Sequence, residues 1–463
     1  MIRAALTLLT SGAVLLAAFS SRVVQEPDLP ETPLEYADIP LPAHLTITPV
    51  RALDNTPEDN PITNAGATLG RVLFYDTRLS DNLTVSCGTC HRAENGFSDP
   101  RPKSVGLHGS ETPRHSMGLA FARYYGSGAM FWDERSATLE EQVLVPIEDP
   151  VEMGLSLDVL TARLDAEPFY ADLFTAAFGS PEASGDRIAR ALAQFVRSMV
   201  AADSRYDRAR AATPGRPDPP LAGFTAAENR GLGVFTRAGR CNTCHLGDLF
   251  VGDIPRNNGL DAVTTDPGAG GGRFKAPSLR NVGLTAPYMH DGRFATLEEV
   301  VEHYDSGVQD HPQLDARLRA FSPTGNANPP RRLGLSDQEK ADLVAFLHTL
   351  TDVDFTTDER WQDPFRPSTA TAAPEASRLR LDAPSPNPAS GATAFRFALG
   401  APGPVALEVF DARGRRVAML ANGNRAAGEH TVRLNAAPLA PGAYVARLRT
   451  GGESRSVRFA VAR

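Results

Sequence analysis

Apolar positions run continuously from Leu6 to Phe19, directly after the short basic start Met1-Ile-Arg3, and the run closes in the small residues Ala17, Ala18, Ser20 and Ser21. That order predicts an export signal over residues 1–20. The run is shorter than the roughly 20 residues a bilayer span needs, and no later stretch is apolar enough, so no membrane span is expected. Residues 21–60 are rich in proline and acidic residues and read as an extended N-terminal arm. Beyond residue 60 the apolar period becomes helical. Ile188, Leu192, Phe195, Val196 and Met199 mark a helix within 184–203, and Leu343, Phe346, Leu347 and Leu350 mark another. Helix starts are signalled by the pairs Thr138/Glu141, Thr225/Glu228, Thr296/Glu299 and Ser336/Glu339. A linker over 356–378 follows, and past it the period falls to two in Phe395/Phe397/Leu399, Val405/Leu407/Val409, Tyr444/Ala446/Leu448 and Val457/Phe459/Val461. Residues 379–463 are therefore expected as an all-β immunoglobulin-like sandwich.

The 463-residue length corresponds to about three domains. Apolar residues at 42% and charged residues at 22% are ordinary for a globular chain. A net charge of -8, without a Lys/Arg run, gives nucleic acid no electrostatic handhold. The proline-rich stretch Pro214 to Pro220 divides the helical part into halves, 61–215 and 216–355, so the fold class is mainly α with a small β module at the end. Glycine-, proline- and asparagine-rich loops in the second half, notably 251–273, are of a kind that holds a ligand.

Chemistry enters with the cysteines. All four lie in two identical patterns, Cys87-Gly-Thr-Cys90-His91 and Cys241-Asn-Thr-Cys244-His245, one in each half. A zinc site, local disulfides or a thioredoxin-like pair would each account for one Cys-X-X-Cys, but none asks for histidine directly after both. Covalent c-type haem does: two thiols add across the vinyl groups and the adjacent imidazole reaches the iron. Two haems are expected, with His91 and His245 as proximal ligands. Their number leaves function open, because an electron carrier closes both irons and an enzyme leaves one position free.

Further blocks accompany these motifs: Pro113-Arg-His-Ser116, Phe131-Trp-Asp-Glu-Arg135, Leu139-Glu-Glu-Gln142, Val151-Glu-Met153, Phe274-Lys-Ala-Pro-Ser-Leu-Arg-Asn281, and Pro287-Tyr-Met-His-Asp-Gly292 followed by Thr296-Leu-Glu-Glu299. In order and spacing, residues 60–355 resemble the bacterial dihaem cytochrome c peroxidases and their relative MauG. The resemblance implies a peroxidatic domain over 61–215 and an electron-transfer domain over 216–355, with hydrogen peroxide as acceptor, a cytochrome c as donor, and room for a homodimer. It makes Glu152 the carboxylate of the peroxide pocket, Gln142 the amide beside it, and Trp132 the relay between haems. Tyr304 takes the distal position of the second haem, where the peroxidases commonly have methionine; Met289, His290 and His303 compete with it. At the first haem Leu107 stands in the place of a removable histidine, with His108 one position on, so an open site is expected. The family's calcium meets a poor ligand in His115, where the pattern has asparagine. Two other readings stay open: a MauG-like enzyme that oxidises side chains of a protein substrate, and a non-catalytic electron-transfer cytochrome. Pro384-Ser-Pro-Asn-Pro388, Val409 to Gly414 and Gly442 to Leu448 make the β module resemble the sorting domains of type IX secretion substrates. The resulting address is the periplasm or, with sorting, the cell surface and beyond.

Overall fold

The computed structural model describes residues 26–320 except 214 and 216–219, residues 328–365, and residues 380–462 except 383, 385–386, 400–402, 412–414, 426–427 and 451–452. The export-signal segment 1–20 lies outside the described residues. The chain forms two compact units, Met1–Arg366 and Pro367–Arg463.

The first unit holds α1 (Thr48–Arg51), α2 (Asn64–Tyr75), α3 (Cys87–Cys90), α4 (Leu139–Glu148), α5 (Leu157–Asp165), α6 (Pro168–Phe178), α7 (Gly185–Ser198), α8 (Arg205–Ala212), α9 (Ala226–Gly233), α10 (Leu297–Glu302) and α11 (Asp337–His348). Its apolar side chains gather into two cores. One is built on α2, α4, α6 and α7, the other on α8, α9, α10 and α11. Each core is organised around one crossing of two helices, α2 on α7 and α9 on α11, and each crossing needs a glycine. A Cβ on Gly70 would stand 2.0 Å from the carbonyl oxygen of Ala191, and one on Gly231 would stand 1.9 Å from that of Asp342. The backbones can approach this closely only where no side chain intervenes.

The helix starts follow the sequence signals. Thr225/Glu228, Thr296/Glu299 and Ser336/Glu339 form reciprocal capping boxes. At α4 the Thr138 hydroxyl accepts from Glu141 N–H, while the Glu141 carboxylate accepts from Ala137 N–H, one residue earlier than a full box requires. The helix expected within 184–203 ends at Ser198, because Ser204 and Asp207 cap the next one.

Two segments are more embedded than their composition implies. The N-terminal arm, expected to be extended, is packed and partly helical: Tyr36, Leu45 and Val50 enter the first core, the last from α1, and the Tyr36 hydroxyl donates to the Arg360 carbonyl at 2.8 Å. Residues 356–365, expected to begin a linker, fold back onto the first half together with Phe355 just before them. Phe355 and Trp361 are buried in the first core, Phe355 lies 5.4 Å from Phe97 ring to ring, and Trp361 donates its indole N–H to Ser198 Oγ at 3.2 Å. Aromatic residues with a core to enter do not stay in a linker.

The halves repeat a loop-to-helix unit. A short hairpin closed by Met130 and Ser136 leads into Ala137-Thr-Leu-Glu-Glu141 and α4; another closed by Tyr288 and Phe294 leads into Ala295-Thr-Leu-Glu-Glu299 and α10. Left-handed backbone recurs at matching places, Phe131 with Met289 and Glu134 with Gly292.

The second unit has seven described strands in two antiparallel sheets: β1 (Arg380–Leu381), β2 (Ala392–Leu399), β3 (Gly403–Asp411), β4 (Arg416–Arg425), β5 (Gly428–Asn435), β6 (Gly442–Thr450) and β7 (Glu453–Val461). They are ordered β1-β2-β5 and β4-β3-β6-β7. Phe395, Phe397 and Leu399 from one sheet share a core with Leu407, Val409, Ala446, Leu448 and Phe459 from the other. The alternating positions read from the sequence are the inward ones.

Candidate functional site

At the first motif, Ser86 and Thr89 exchange capping bonds and wind Cys87–Cys90 into one helical turn. His91 follows at its end, and its Nδ1 lies 2.9 Å from the Phe97 carbonyl oxygen. The carbonyl is brought there by a tight turn through Ala93–Asn95, Gly96 and the left-handed Phe97, closed by the Arg92/Ser98 pair. The second motif repeats this arrangement: His245 Nδ1 lies 3.3 Å from the carbonyl of the left-handed Phe250, with Leu246 and Val251 paired. An imidazole that donates Nδ1–H to a carbonyl keeps the Nε2 lone pair for a metal. Burial lowers the His91 pKa and pushes His245 down to about 4, so both rings are neutral at physiological pH. The four thiols are unpaired.

A cavity of about 250 Å³ opens beside the second motif. Cys241, Cys244, His245, Tyr304 and Met289 line it together with apolar side chains such as Leu279, Val301 and Leu343. Arg256 and Arg331 also line it, and the buried Nε of each has no hydrogen-bond partner among the described residues. Orphaned guanidinium N–H groups are costly unless an acceptor arrives. Thiols, a prepared imidazole, an apolar slot and cations suited to carboxylate arms fit a c-type haem. Tyr304 stands on a π-helical turn, His303–Gly307, a local widening that recurs at functional sites. Its hydroxyl accepts from Asn258 Nδ2 at 3.4 Å, and the same amide lies 3.5 Å from Met289 Sδ. Burial pushes Tyr304 up to about 12, against the pull of that amide. The competing histidines are otherwise engaged: His303 Nε2 meets the Asn258 carbonyl at 3.1 Å, and His290 stacks on Phe274 with ring centroids 3.6 Å apart.

At the first motif, Glu152 sits in the turn after α4, where Asp149 Oδ1 accepts from the backbone N–H of Val151 and Glu152. The segment Ser104–Leu107 is docked on this turn. Leu107 N–H donates to the Val151 and Glu152 carbonyls, and a Cβ on Gly106 would stand 1.8 Å from the Val151 oxygen. Leu107 is buried, whereas His108 faces solvent. Burial, with Asp149 adding and Arg135 opposing, pushes the half-buried Glu152 carboxyl up to about 7. Burial pushes the Cys87 thiol up to about 12, and the charges of Cys90 and Glu152 add to this, which places the carboxylate within electrostatic reach of the motif. Gln142 lies half-buried on α4, with no side-chain hydrogen bond among the described residues.

Trp132 lies on the first hairpin and lines the cavity beside the second motif. The halves are stitched here by two reciprocal bonds: His115 N–H donates to the His290 carbonyl and Lys275 N–H to the Trp132 carbonyl, both at 2.8 Å. The Trp132 indole N–H donates to the His115 carbonyl, also at 2.8 Å. His115 uses both ring nitrogens, Nε2 with Ser98 Oγ at 3.0 Å and Nδ1 with the Arg101 carbonyl at 3.1 Å. No group of three or more His, Cys, Asp or Glu side chains set to hold a metal ion occurs among the described residues. Arg114 joins the halves again through Asp133 and Asp266. Arg256, Arg331 and Lys275 are not singled out by sequence reasoning; only the lysine left a signal, being one of three in the chain.

Residues 64–213 match the family model of the di-haem cytochrome c peroxidases, and residues 385–462 match that of the secretion system C-terminal sorting domain. The chain is 37% identical to the methylamine utilization protein MauG of Methylorubrum extorquens over 307 residues, which is 64% of this chain and 80% of that protein. It is 32% identical to the cytochrome c551 peroxidase of Nitrosomonas europaea, covering 67% of this chain and 85% of the other. Among solved structures, a MauG-like protein associated with microbial copper homeostasis matches with a TM-score of 0.58 and 34% identity, over 71% of this chain and 99% of that one.

Proposed function

The chain belongs to the di-haem cytochrome c peroxidase family, in which MauG is also found, and from that premise we propose that its two motifs have different duties. It is an oxidoreductase of the cytochrome c peroxidase type, with hydrogen peroxide as acceptor. Cys87 and Cys90 would attach one haem and Cys241 and Cys244 the other, with His91 holding the first iron and His245 and Tyr304 the second. When bound, the haems supply the iron that takes two electrons to peroxide. The chain's own residues manage the protons. A carboxyl near 7 is close to half ionised at neutral pH, so Glu152 Oε can take a proton from peroxide and return it to the departing oxygen as water forms. Gln142 has an amide free to orient the peroxide. Trp132, between the motifs and tied to His115, offers an oxidisable ring for electrons passing between the halves.

The observation that carries the peroxidatic role is Glu152, half-buried beside the first motif while His108 points to solvent. Steady-state reduction of peroxide by reduced cytochrome c, compared with small reductants, tests it. Magnetic resonance of the oxidised protein should show one high-spin iron. Two low-spin irons without turnover would return the chain to the non-catalytic cytochromes.

Tyr304 favours a second reading. A phenolate is a hard anionic donor that stabilises ferric iron, which suits an enzyme that withdraws electrons from a protein substrate, as in the MauG-like alternative. Tyr304→Phe should alter the low-spin spectrum; an unchanged spectrum passes the ligand role to Met289. The match to a sorting domain supports export, and the reading extends to an immunoglobulin-like module that directs the enzyme to the cell surface, with the haem unit as a homodimer.

A further inference from the structure

The stitched interface contains a buried cluster that the mechanism above leaves unused. Tyr125, 1% exposed, donates its hydroxyl proton to Glu134 Oε1. Lys275 reaches across from the second half: its Nζ stands 3.7 Å from the Tyr125 ring centroid and donates to the Ala129 carbonyl at 2.8 Å. Glu134 is two residues from Trp132, and Lys275 is the residue whose N–H holds the Trp132 carbonyl, so the cluster adjoins the relay.

The repeat supplies an internal comparison. Its second copy has Gly292 where the first has Glu134, and His115, the reciprocal partner of Lys275, turns its ring to Ser98 and Arg101. A phenol, a carboxylate and an ammonium thus meet on one side of the interface only. Packing alone does not require this, since burying a lysine ammonium and a phenol hydroxyl costs more than burying apolar groups of similar volume.

We propose that Tyr125 and Glu134 form a one-electron store beside Trp132, in which Tyr125 is oxidised to a neutral tyrosyl radical as its proton passes to Glu134. The reduction of one H2O2 to two H2O takes two electrons and two protons. Tyr125 would supply one of those electrons by way of the haems, its O–H bond breaking and the proton staying on Glu134 Oε1; the second electron would come from the haem irons, which a donor cytochrome c later re-reduces, and both protons would come from solvent water. A donor later returns the electron, and the proton moves back. The proton must move with the electron because a phenol radical cation would put a second positive charge 3.7 Å from the Lys275 ammonium in a buried site. Tyr125 is thus a second holding place for an oxidising equivalent when no donor is bound. The proposal takes its oxidant from the peroxidase reading.

The test uses the holoprotein with ring-deuterated tyrosine, treated with peroxide without donor and examined by freeze-quench magnetic resonance. Wild type should give a radical whose line narrows on deuteration; Tyr125→Phe should lose that tyrosine signal, and Glu134→Gln should lose it with the tyrosine still in place. A tyrosine signal unchanged in Tyr125→Phe, or a wild-type radical insensitive to deuteration, overturns the proposal while leaving the peroxidase reading intact. If wild type consumes no peroxide at all, that reading fails instead, and flash photo-oxidation by a ruthenium tris-bipyridine decides the pair. A Tyr125-dependent radical then supports the store, and its absence rejects it.

Discussion

Glu152 shows how one residue serves opposite demands. In the proposed role of a base for peroxide it would work when ionised, so kcat/KM should rise as pH climbs through about 7 and level off above it. Glu152→Gln should lower turnover by ~10²- to 10⁴-fold, the usual worth of a positioned proton-transfer group. Its effect on stability has the other sign. A carboxyl raised from 4.5 to about 7 binds its proton more tightly in the folded state, so it costs stability as pH rises through that window. Denaturation at pH 8 should find Glu152→Gln more stable than wild type, and at pH 4 no different; a variant less stable at pH 8 would mean the carboxylate has a structural partner. Such residues differ in how far the sequence reveals them. The Cys-X-X-Cys-His chemistry is local and therefore legible, and resemblance locates Glu152. Its raised pKa is not legible, because it depends on Ser104–Leu107 docking on the turn at Asp149. The meeting of Tyr125, Glu134 and Lys275 is not legible for the same reason: Glu134 and Lys275 stand in recognisable blocks, but one of the three comes from the other half of the chain.

Among the elements, the two helix crossings govern the haem unit. Gly70→Ala and Gly231→Ala each press a methyl into a carbonyl at about 2 Å. Each should cost ~1–3 kcal/mol or more in chemical denaturation, because the helices must part; a change within error would show that the crossing yields. The helical period locates α7 and α11 because each buries one continuous stripe, and the β module is legible because its strands alternate cleanly. The internal repeat escapes periodicity: it consists of a hairpin and a capped helix start, identified by the recurrence of Ala-Thr-Leu-Glu-Glu and of left-handed backbone, neither of which has a hydrophobic rhythm. The π-helical turn at Tyr304 escapes for a related reason, since one extra residue in a turn leaves no mark on composition.

For the molecule as a whole, the two units predict independent behaviour. A chain ending at Arg366 should keep the haem spectrum and the melting temperature of the haem unit, whereas one ending at Val353 should lose stability by several kcal/mol, through Phe355 and Trp361. Calorimetry of the two truncations separates these outcomes; equal melting would place the true boundary at 353, near where composition puts it. The proline-rich linker is visible in the sequence, but its start is not, because the last aromatics before it belong to a core formed far upstream. That arrangement sets an order of events during biogenesis. Tyr75 and Trp361, joined by a hydrogen bond, lie 286 positions apart, so the half made first is the half finished last. Until the chain has emerged past residue 361, the turn bearing Cys87 and Cys90 sits on an incomplete core. On the proposed reading, haem attachment at Cys87 and Cys90 would therefore meet a core still lacking Phe355 and Trp361, which are made only after the second motif has been delivered.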